Sequence, residues 1–371
     1  MALRQPSGVT IRLMDSALHH ITERVRAAAA DGTPLRIRGG GSKDFYGQSL
    51  QGEVLDTRPL SGITSYEPSE LVVTVRAGTP LAELEATLAE RGQMLAFEPP
   101  HFAQDGAVAT VGGMVAAGLS GPARASVGAV RDYVLGVTVL NGQGQLLTYG
   151  GQVMKNVAGY DVSRLMAGAL GTLGLLVEVS LKVLPCAVAE STLLFELDEA
   201  EALAQLNRWG AQPLPLNASC WHQGVLMLRL RGAQAAVQAA HATLGGQRME
   251  ADSERFWSVL REQSAPFFQL QDGEALMRLS VPDTQPPLNL GPTLVEWGGA
   301  QRWLKLAPGQ TVPREALQAA GRGHATLFRG GDKAQGVFTP LASPLDRIHR
   351  ELKKQFDPAG VFNRGRLYPD F

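Results

Sequence analysis

The chain has 371 residues, of which 44% are hydrophobic and 19% charged, and its formal net charge is −1. This length is too great for one ordinary core, so we expect a globular protein with two packed units. A nearly neutral chain without blocks of like charge argues against nucleic acid as the main partner.

Neither secretion nor membrane insertion is indicated. The segment "MALRQPSGVTIRLMDS" has no long apolar run, and no stretch approaches the ~20 apolar residues that span a bilayer. Cys186 and Cys220 are the only cysteines, too few to ligate an iron–sulfur cluster or to form a disulfide framework. We expect a cytoplasmic protein, with peripheral docking at the inner membrane through a complex left open.

The first part of the chain predicts a mixed α+β fold. Leu18, Ile21 and Val25 have helical spacing within residues 15–30, and the strands "PLRIR", "EVLDT" and "LVVTVRAG" follow. Thr79-Pro80 opens a second helix, in which three leucines share one face. This irregular order of elements favours an α+β domain over a regular doubly wound sheet.

Glycine interrupts this pattern at residues 106–128, where its density predicts neither helix nor strand. A hairpin, "YVLGVTVLNGQGQLLTYG", is predicted next, and then a helix, "DVSRLMAGAL", and a strand, "GLLVEVSLKVLP". All five tryptophans lie between residues 209 and 303 and all six tyrosines outside that range, which indicates a separate core there. Near the end we expect a helix capped by Ser343 and opened by Pro344, with an apolar stripe formed by Leu345, Ile348, Leu352 and Phe356.

Three consecutive glycines in "RIRGGGSKDFYG", residues 36–47, follow the first predicted strand. The segment fails the G-x-G-x-x-G dinucleotide pattern because Asp44 occupies the third glycine position, and the chain has no G-x-x-x-x-G-K-[ST] loop. Two interpretations stay open: a plain turn, or a run of backbone amides that forms an anion-binding concavity.

Two further segments are rich in small residues. "VGGMVAAGLSG", residues 111–121, leaves room either for a flat ligand or for a tight contact between helix and sheet. "GALGTLG" spaces Gly168, Gly171 and Gly174 by three, which by itself indicates only a compact corner between a helix and a strand.

In combination, these segments resemble the flavin-binding fold of the vanillyl-alcohol oxidase type. The resemblance covers residues 1–185 and about 343–371, and it rests on "RGGGS", "GGMVAAGLSG", "GYDVSRLMAGALGTLG" and "FDPAGVFNRGRL". With its short cap, the whole chain resembles the FAD-binding E subunits of bacterial glycolate oxidase, through "GGMVAAGLSGPARASVGAVRDYVLGV", "VMKNVAGYDVSRLMAGALGTLGL" and "GHATLFR". It implies a two-subdomain α+β FAD-binding domain at 1–187, a smaller α+β cap at 188–335 and a returning segment at 336–371.

The same resemblance implies the cofactor-binding residues. The first glycine loop would wrap the FAD pyrophosphate, the second segment would lie along the cofactor, the third would flank it, and the C-terminal segment would close the site near the flavin ring. In this chain these residues are Arg38, Gly39, Gly40, Gly41, Ser42, Lys43, Val111, Gly112, Gly113, Gly118, Gly121, Gly171, Thr172, Gly174, Asn363, Gly365 and Arg366. Some relatives attach flavin through a histidine directly after the glycine triplet, where this chain has Ser42, so we expect non-covalent FAD.

Catalytic residues are not evident from the sequence. Related dehydrogenases of D-2-hydroxy acids carry a histidine-rich metal site, whereas the second half here has only His222, His241, His324 and His349, with no two at ligand spacing. We therefore expect no metal. His324, beside Arg322 and Arg329, is a candidate for the base and cations that hydride removal from a 2-hydroxy acid requires; a structural histidine in a strand is the alternative.

The resemblance implies an FAD-dependent oxidoreductase subunit that takes part in oxidising glycolate to glyoxylate. Its partners would be a catalytic flavoprotein subunit and an iron–sulfur subunit, which pass the electrons on. Two alternatives stay open: a self-sufficient FAD-dependent dehydrogenase of D-2-hydroxy acids, and a non-catalytic scaffold subunit of the complex.

Overall fold

The computed structural model of the chain describes residues 8–103, 106–151, 161–310, 314, 323–369 and 371. The α-helices within these ranges are α1 (Gly8–Asp31), α2 (Leu81–Ala89), α3 (Val111–Ala117), α4 (Arg124–Val127), α5 (Val130–Tyr133), α6 (Glu199–Gly210), α7 (Gln234–Leu244), α8 (Ser253–Arg261) and α9 (Leu345–Phe356). Among these residues, no helix is long and apolar enough to cross a membrane.

The strands of the first half are β1 (Leu35–Arg38), β2 (Glu53–Asp56), β3 (Ile63–Glu67), β4 (Val72–Arg76), β5 (Gln93–Met94), β6 (Val134–Leu140), β7 (Leu146–Gly150), β8 (Leu175–Lys182) and β9 (Leu184–Pro185). Those of the second half are β10 (Ala189–Glu196), β11 (Leu216–His222), β12 (Val225–Gly232), β13 (Gln247–Arg248), β14 (Ala275–Ser280), β15 (Thr293–Glu296), β16 (Gln301–Leu306) and β17 (His324–Gly330).

A five-stranded antiparallel sheet forms the centre of the first half, in the order β3-β4-β8-β6-β7. The predicted hairpin is confirmed as β6 and β7, which pair from Leu140 opposite Leu146. The predicted helix with three leucines is confirmed as α2, whose Leu81, Leu84 and Leu88 are fully buried in the cluster that covers this sheet. Burial of one helical face on a sheet is what the spacing of the leucines indicates.

Strands β1 and β2 form a separate parallel pair, and the C-terminal segment contacts β1. Leu35 forms a parallel bridge with Phe362, and its backbone N–H donates to the Val361 carbonyl at 2.8 Å. Leu35, Val361 and Phe362 share a buried cluster with Ile21 and Val25 of α1. The C-terminal segment thus packs on the strand that leads into the glycine loop.

The second half forms an eight-stranded antiparallel sheet, in the order β13-β10-β12-β11-β15-β16-β14-β17. Part of its core is its own, but one cluster extends into the first half: Trp257 and Trp303 pack in the same cluster as Tyr46 and Phe102. The separate core that the tryptophan distribution indicates is therefore not observed for Trp257 and Trp303, because their aromatic cluster includes residues of the first half.

The glycine-rich segment differs from its prediction, since α3 and α4 lie within it. Thr110 caps α3 by accepting a hydrogen bond from the Gly113 N–H at 3.2 Å. A Cβ on Gly112 would lie only 2.6 Å from the Cβ of Ala77, so the glycine lets α3 approach the end of β4 closely. Tertiary packing here outweighs the low helix propensity of glycine.

Two predicted helices are shorter or differently placed. In "DVSRLMAGAL" only a 3₁₀ turn forms, Ser163–Met166; the N–H groups of Gly168 and Leu170 donate instead to carbonyls of α3, Val115 and Ala116. The last helix starts at Leu345, with Pro344 rather than Ser343 at the cap. Its stripe is buried only towards its end, because Leu345 and Ile348 are 51% and 47% exposed.

Candidate cofactor cleft

A cleft lies between the glycine loop after β1 and the small residues of α3. The empty space in it amounts to about 870 Å³, open solvent at its mouth included. Its walls come from segments distant in sequence: the loop at residues 37–44, the first turns of α3, the corner at 166–176, and Asn363 with Arg366.

The glycine loop is shaped by contacts within the protein. A Cβ on Gly39 would collide with the Thr110 hydroxyl, and one on Gly40 with the Val108 carbonyl. The Gly40 carbonyl also accepts a hydrogen bond from the Val108 N–H at 3.3 Å. Gly41 has a φ of +80°, which favours glycine. The three residues are therefore glycine for reasons of packing and conformation, whether or not a ligand lies beside them.

The fit of the loop to an anion lies in its backbone. The N–H groups of Gly39, Gly40 and Gly41, which are half-buried residues, donate no hydrogen bond to any residue that the structure describes. Consecutive amides of this kind form anion-binding concavities. The donor set therefore fits the phosphate groups of a nucleotide cofactor.

Cationic side chains stand beside these amides. The ammonium group of Lys43 donates to the Ser42 hydroxyl and to the His101 carbonyl, both at 3.2 Å. Burial lowers the pKa of Lys43 to about 8, against a smaller opposite effect of Glu262. Arg38 is held in an ion pair, its Nε 2.7 Å from the Asp44 carboxylate.

Helix α3 forms the wall opposite the loop with residues that carry little side chain. Gly113, Ala116 and Ala117 line the cleft. At Gly113 an added Cβ would meet only the Thr110 hydroxyl within 4 Å, at 3.1 Å, so this glycine is not required by packing against a neighbouring strand. A flat cofactor could lie directly on this surface.

Asn363 and Arg366 hold the cleft together from the C-terminal segment. The Asn363 side chain accepts a hydrogen bond from the Ile37 N–H at 2.8 Å and donates to the Leu170 carbonyl at 2.5 Å. Arg366 donates to the backbone carbonyls of Asp44 (2.9 Å), Tyr46 and Gln48. Burial lowers the pKa of Arg366 to about 10. The guanidinium of Arg366 is thus occupied in fixing the loop.

Twelve of the seventeen predicted cofactor-binding residues line this cleft, and their role in binding stays a prediction. They are Arg38, Gly39, Gly40, Gly41, Ser42, Lys43, Gly112, Gly113, Gly171, Gly174, Asn363 and Arg366.

The other five predicted residues lie elsewhere. Val111 is buried in the core, and Gly118 ends α3 against Gly168. Gly121 packs on the Glu98 carbonyl, the Thr172 carbonyl accepts from Lys353 at 2.8 Å, and Gly365 lines a separate opening.

The catalytic candidates do not come together. His324 is exposed at the first residue of β17, and Arg329 lies five residues along the same strand, about 16 Å away at the usual rise. The Arg329 guanidinium lies over the Phe45 ring, 4.6 Å from its centroid. Arg322 lies outside the described residues. His324 and Arg329 therefore do not share one site.

The sequence did not single out several residues of the cleft. Thr110 is a recognisable N-cap type directly before "VGGM", a usable signal. Other contributors, such as Leu50, Met166 and Leu176, carry no motif of their own, because apolar residues of this kind are equally typical of a core.

The fold and the cleft define the class, an FAD-binding protein. Residues 18–150 match the family model described as "FAD binding domain". Two solved structures of alkyldihydroxyacetonephosphate synthase, in P212121 and P1, align with TM-scores of 0.62 and 0.57 and cover 93% of this chain. The alignments cover 75% and 74% of the two solved chains. At 15% and 14% identity these structures show the fold alone, the two-subdomain α+β fold of the vanillyl-alcohol oxidase type.

The chain belongs to the family of the glycolate oxidase subunit GlcE. It is 47% identical to GlcE of Escherichia coli (strain K12) over 352 residues, which is 94% of this chain and 97% of that protein. More distant relatives match in part: glycolate oxidase subunit GlcD of Bacillus subtilis (strain 168) is 31% identical over 46% of this chain and 36% of its own length. D-lactate dehydrogenase of Anaerostipes hadrus is 31% identical over 40% of this chain and 30% of its own.

Proposed function

We propose that this chain is the FAD-binding subunit of a complex that oxidises glycolate, a 2-hydroxy acid, to glyoxylate. The observation that carries the proposal is the set of unpaired amides at Gly39, Gly40 and Gly41, in a chain 47% identical to a glycolate oxidase subunit. When bound, FAD supplies the hydride acceptor that oxidation of a hydroxyl to a carbonyl requires.

The residues of the chain have distinct parts in this proposal. The three amides and Lys43 bind the cofactor's phosphates, whose charge they complement. Gly113, Ala116 and Ala117 offer a surface without bulky side chains to its planar portion. Asn363 and Arg366 are positioning residues, which hold the loop at the distance that the amides need.

The partners in the proposal are a catalytic flavoprotein subunit and an iron–sulfur subunit. Two relatives are named as different subunits, GlcE and GlcD, of glycolate oxidase, which supports an assembly of several chains. The sequence contains only Cys186 and Cys220, so the cysteine ligands of a cluster would come from another chain. The complex would be cytoplasmic or attached peripherally at the inner membrane.

We also propose the domain limits 1–187, 188–335 and 336–371. All strands of the eight-stranded sheet fall between residues 189 and 330, which supports the middle domain. The contacts of Leu35 with Val361 and Phe362 support the return of the last segment to the first domain.

An anaerobic titration with glycolate tests the function. The complex is reconstituted with either the wild-type chain or Gly113→Leu, and the absorbance band of oxidised flavin is followed. The proposal predicts that the variant complex lacks the FAD of this subunit and that its rate of electron transfer falls. Unchanged FAD content and rate would contradict it. Bleaching of the isolated wild-type chain by glycolate would instead favour a self-sufficient dehydrogenase.

A further inference from the structure

The end of α8, in the second half of the chain, holds a loop of the first half. The Oε2 atom of the Glu262 carboxylate accepts hydrogen bonds from the backbone N–H groups of His101 at 3.0 Å and of Phe102 at 2.8 Å. Among the described residues, these two N–H groups donate to no backbone carbonyl. Phe102 is 6% exposed and has a φ of +50°. Since a buried backbone donor without a partner is costly, Glu262 stabilises this conformation of the loop.

The same loop holds a cation of the cofactor cleft. The Lys43 ammonium donates to the His101 carbonyl at 3.2 Å and lies 5.6 Å from the centroid of the Phe102 ring. Its other acceptor within the described part of the chain is the hydroxyl of the adjacent residue, Ser42. The position of the ammonium group in the cleft therefore depends on the loop that Glu262 holds.

Glu262 itself lies outside the cofactor cleft. None of the described residues that line the cleft belongs to residues 189–330, which contain the eight-stranded sheet. The other carboxylate oxygen of Glu262 accepts a hydrogen bond from the Arg261 Nε at 2.8 Å. Glu262 can therefore act on the cleft through the loop and through its charge, but not by direct contact.

The charge of Glu262 acts on Lys43 as well. Burial lowers the pKa of Lys43 to about 8, and the Glu262 carboxylate opposes part of that effect. The other charged groups around the loop have partners of their own: Glu85 at the His101 ring (2.8 Å), Asp44 at the Arg38 guanidinium (2.7 Å), and Arg329 at the Phe102 ring (5.5 Å). Glu262 is thus the group that both holds the loop and favours the protonated form of Lys43.

We propose that Glu262 is a positioning residue of the cofactor site: through the loop of His101 and Phe102, it holds Lys43 where the ammonium can bind the phosphates of FAD. The inference rests on the proposed function, because only a bound anion gives Lys43 this role. It makes the affinity for FAD depend on a residue of the second half that does not line the cleft. The contact between the two halves is then part of the cofactor site as well as of the fold.

Fluorescence titration of the full chain with FAD tests the inference. Glu262→Met removes the acceptor of the two loop N–H groups and should weaken FAD binding about tenfold at pH 7, as the loss of a charge-assisted contact with the ammonium does. Glu254→Met is the control, because Glu254 is exposed in the first turn of the same helix. The control should bind FAD as the wild type does.

A Lys43→Met background separates positioning from a general effect on the fold. If Glu262 acts through Lys43, Glu262→Met should weaken FAD binding no further in a chain that already carries Lys43→Met. A purely structural glutamate would instead weaken binding by the same factor in both backgrounds.

Glu262→Gln separates the hydrogen bonds from the charge. Its amide oxygen can accept from both loop N–H groups, as Oε2 does in the wild type, so this variant keeps the test valid if Glu262→Met does not fold. Loss of the charge lowers the pKa of Lys43 further, so more of the chain must take up a proton when FAD binds at pH 8. The fall in affinity between pH 6 and pH 8 should therefore be about two- to fivefold larger than in the wild type.

The inference is overturned if Glu262→Met binds FAD as tightly as the Glu254→Met control, or if its loss is equal in the two backgrounds. Parallel pH profiles of Glu262→Gln and the wild type would overturn it as well. Each of these results comes from a chain that binds FAD, so each leaves the proposed function standing. A folded wild-type chain that binds no FAD would contradict the proposed function, and this inference with it.

Discussion

Asn363 accepts a hydrogen bond from the backbone N–H of Ile37 at 2.8 Å, across 326 residues of sequence. The same amide donates to the Leu170 carbonyl, so one side chain joins three walls of the cofactor cleft. Among the described residues, the Ile37 N–H and the Leu170 carbonyl have no other hydrogen-bond partner that could replace the Asn363 side chain. The cleft is therefore complete only when the C-terminal segment is docked.

Asn363→Ala should lower the free energy of unfolding by about 3 kcal/mol, because it leaves a buried N–H and a buried carbonyl unpaired. Urea denaturation measures the change. Asn289→Ala is the control, since both asparagines have a positive φ and Asn289 is exposed; we expect less than about 0.5 kcal/mol there. Equal losses in the two variants would mean that the backbone conformation, and not the hydrogen bonds of Asn363, sets the cost.

Gly113→Leu should abolish FAD binding without unfolding the protein. The side chain would project into the cleft from a helix in which leucine is favoured over glycine. Gly41 is a poorer test position, because any Cβ there collides with Arg38 and disturbs the loop itself. Gly210→Leu, at the exposed end of α6, is the control. Stoichiometric flavin in a folded Gly113→Leu chain would show that α3 does not line the FAD site.

FAD affinity should fall at alkaline pH through Lys43. The pKa of Lys43 is lowered to about 8 in the free protein, and a bound anion raises it, so the contribution of this group is fully present below about pH 8. Above that pH the affinity should fall by up to about tenfold per pH unit, until the pKa of the bound state is reached. Fluorescence titrations between pH 7 and pH 9.5 measure this.

Lys43→Met should bind FAD more weakly at pH 7 and lose this pH dependence, whereas Lys354→Met, at an exposed surface position, should retain it. An unchanged slope in Lys43→Met would place Lys43 outside the anion site.

The free energy of unfolding should decrease as pH rises, because of Glu296. Burial raises its pKa to about 7 in the folded chain, from the ordinary value of 4.5 that the group has in an unfolded chain. The stabilisation is fully present below pH 4.5 and is lost as pH rises through 7, by about 3 kcal/mol in total. Glu296→Gln keeps an oxygen for Trp303 and Gln301 and should flatten this slope in urea denaturation between pH 5 and pH 8. Parallel slopes for the two proteins would contradict the raised pKa.

The sequence predicts elements best where the pattern is local. The leucines of α2 mark one face of one helix, and the "NGQG" turn marks the hairpin of β6 and β7; both predictions are confirmed. Helix α3 is missed because the contact that requires glycine at position 112 is with Ala77, a residue distant in sequence. The helix predicted at "DVSRLMAGAL" is only a 3₁₀ turn for a similar reason, because the N–H groups of Gly168 and Leu170 donate to carbonyls of α3.

The cofactor cleft shows the same limit. The glycine loop is visible in the sequence, but the distinction between a packed turn and an anion site depends on which amides remain unpaired.

The amount of FAD released by acid precipitation tests the central claim most directly. No histidine, cysteine or tyrosine is among the described residues that line the cleft, so no side chain there offers a usual covalent attachment to the flavin. The account predicts about one FAD per chain in the supernatant and a colourless pellet, with no flavin in Gly113→Leu treated in the same way. A yellow pellet, or a folded wild-type chain that takes up no FAD, would contradict it.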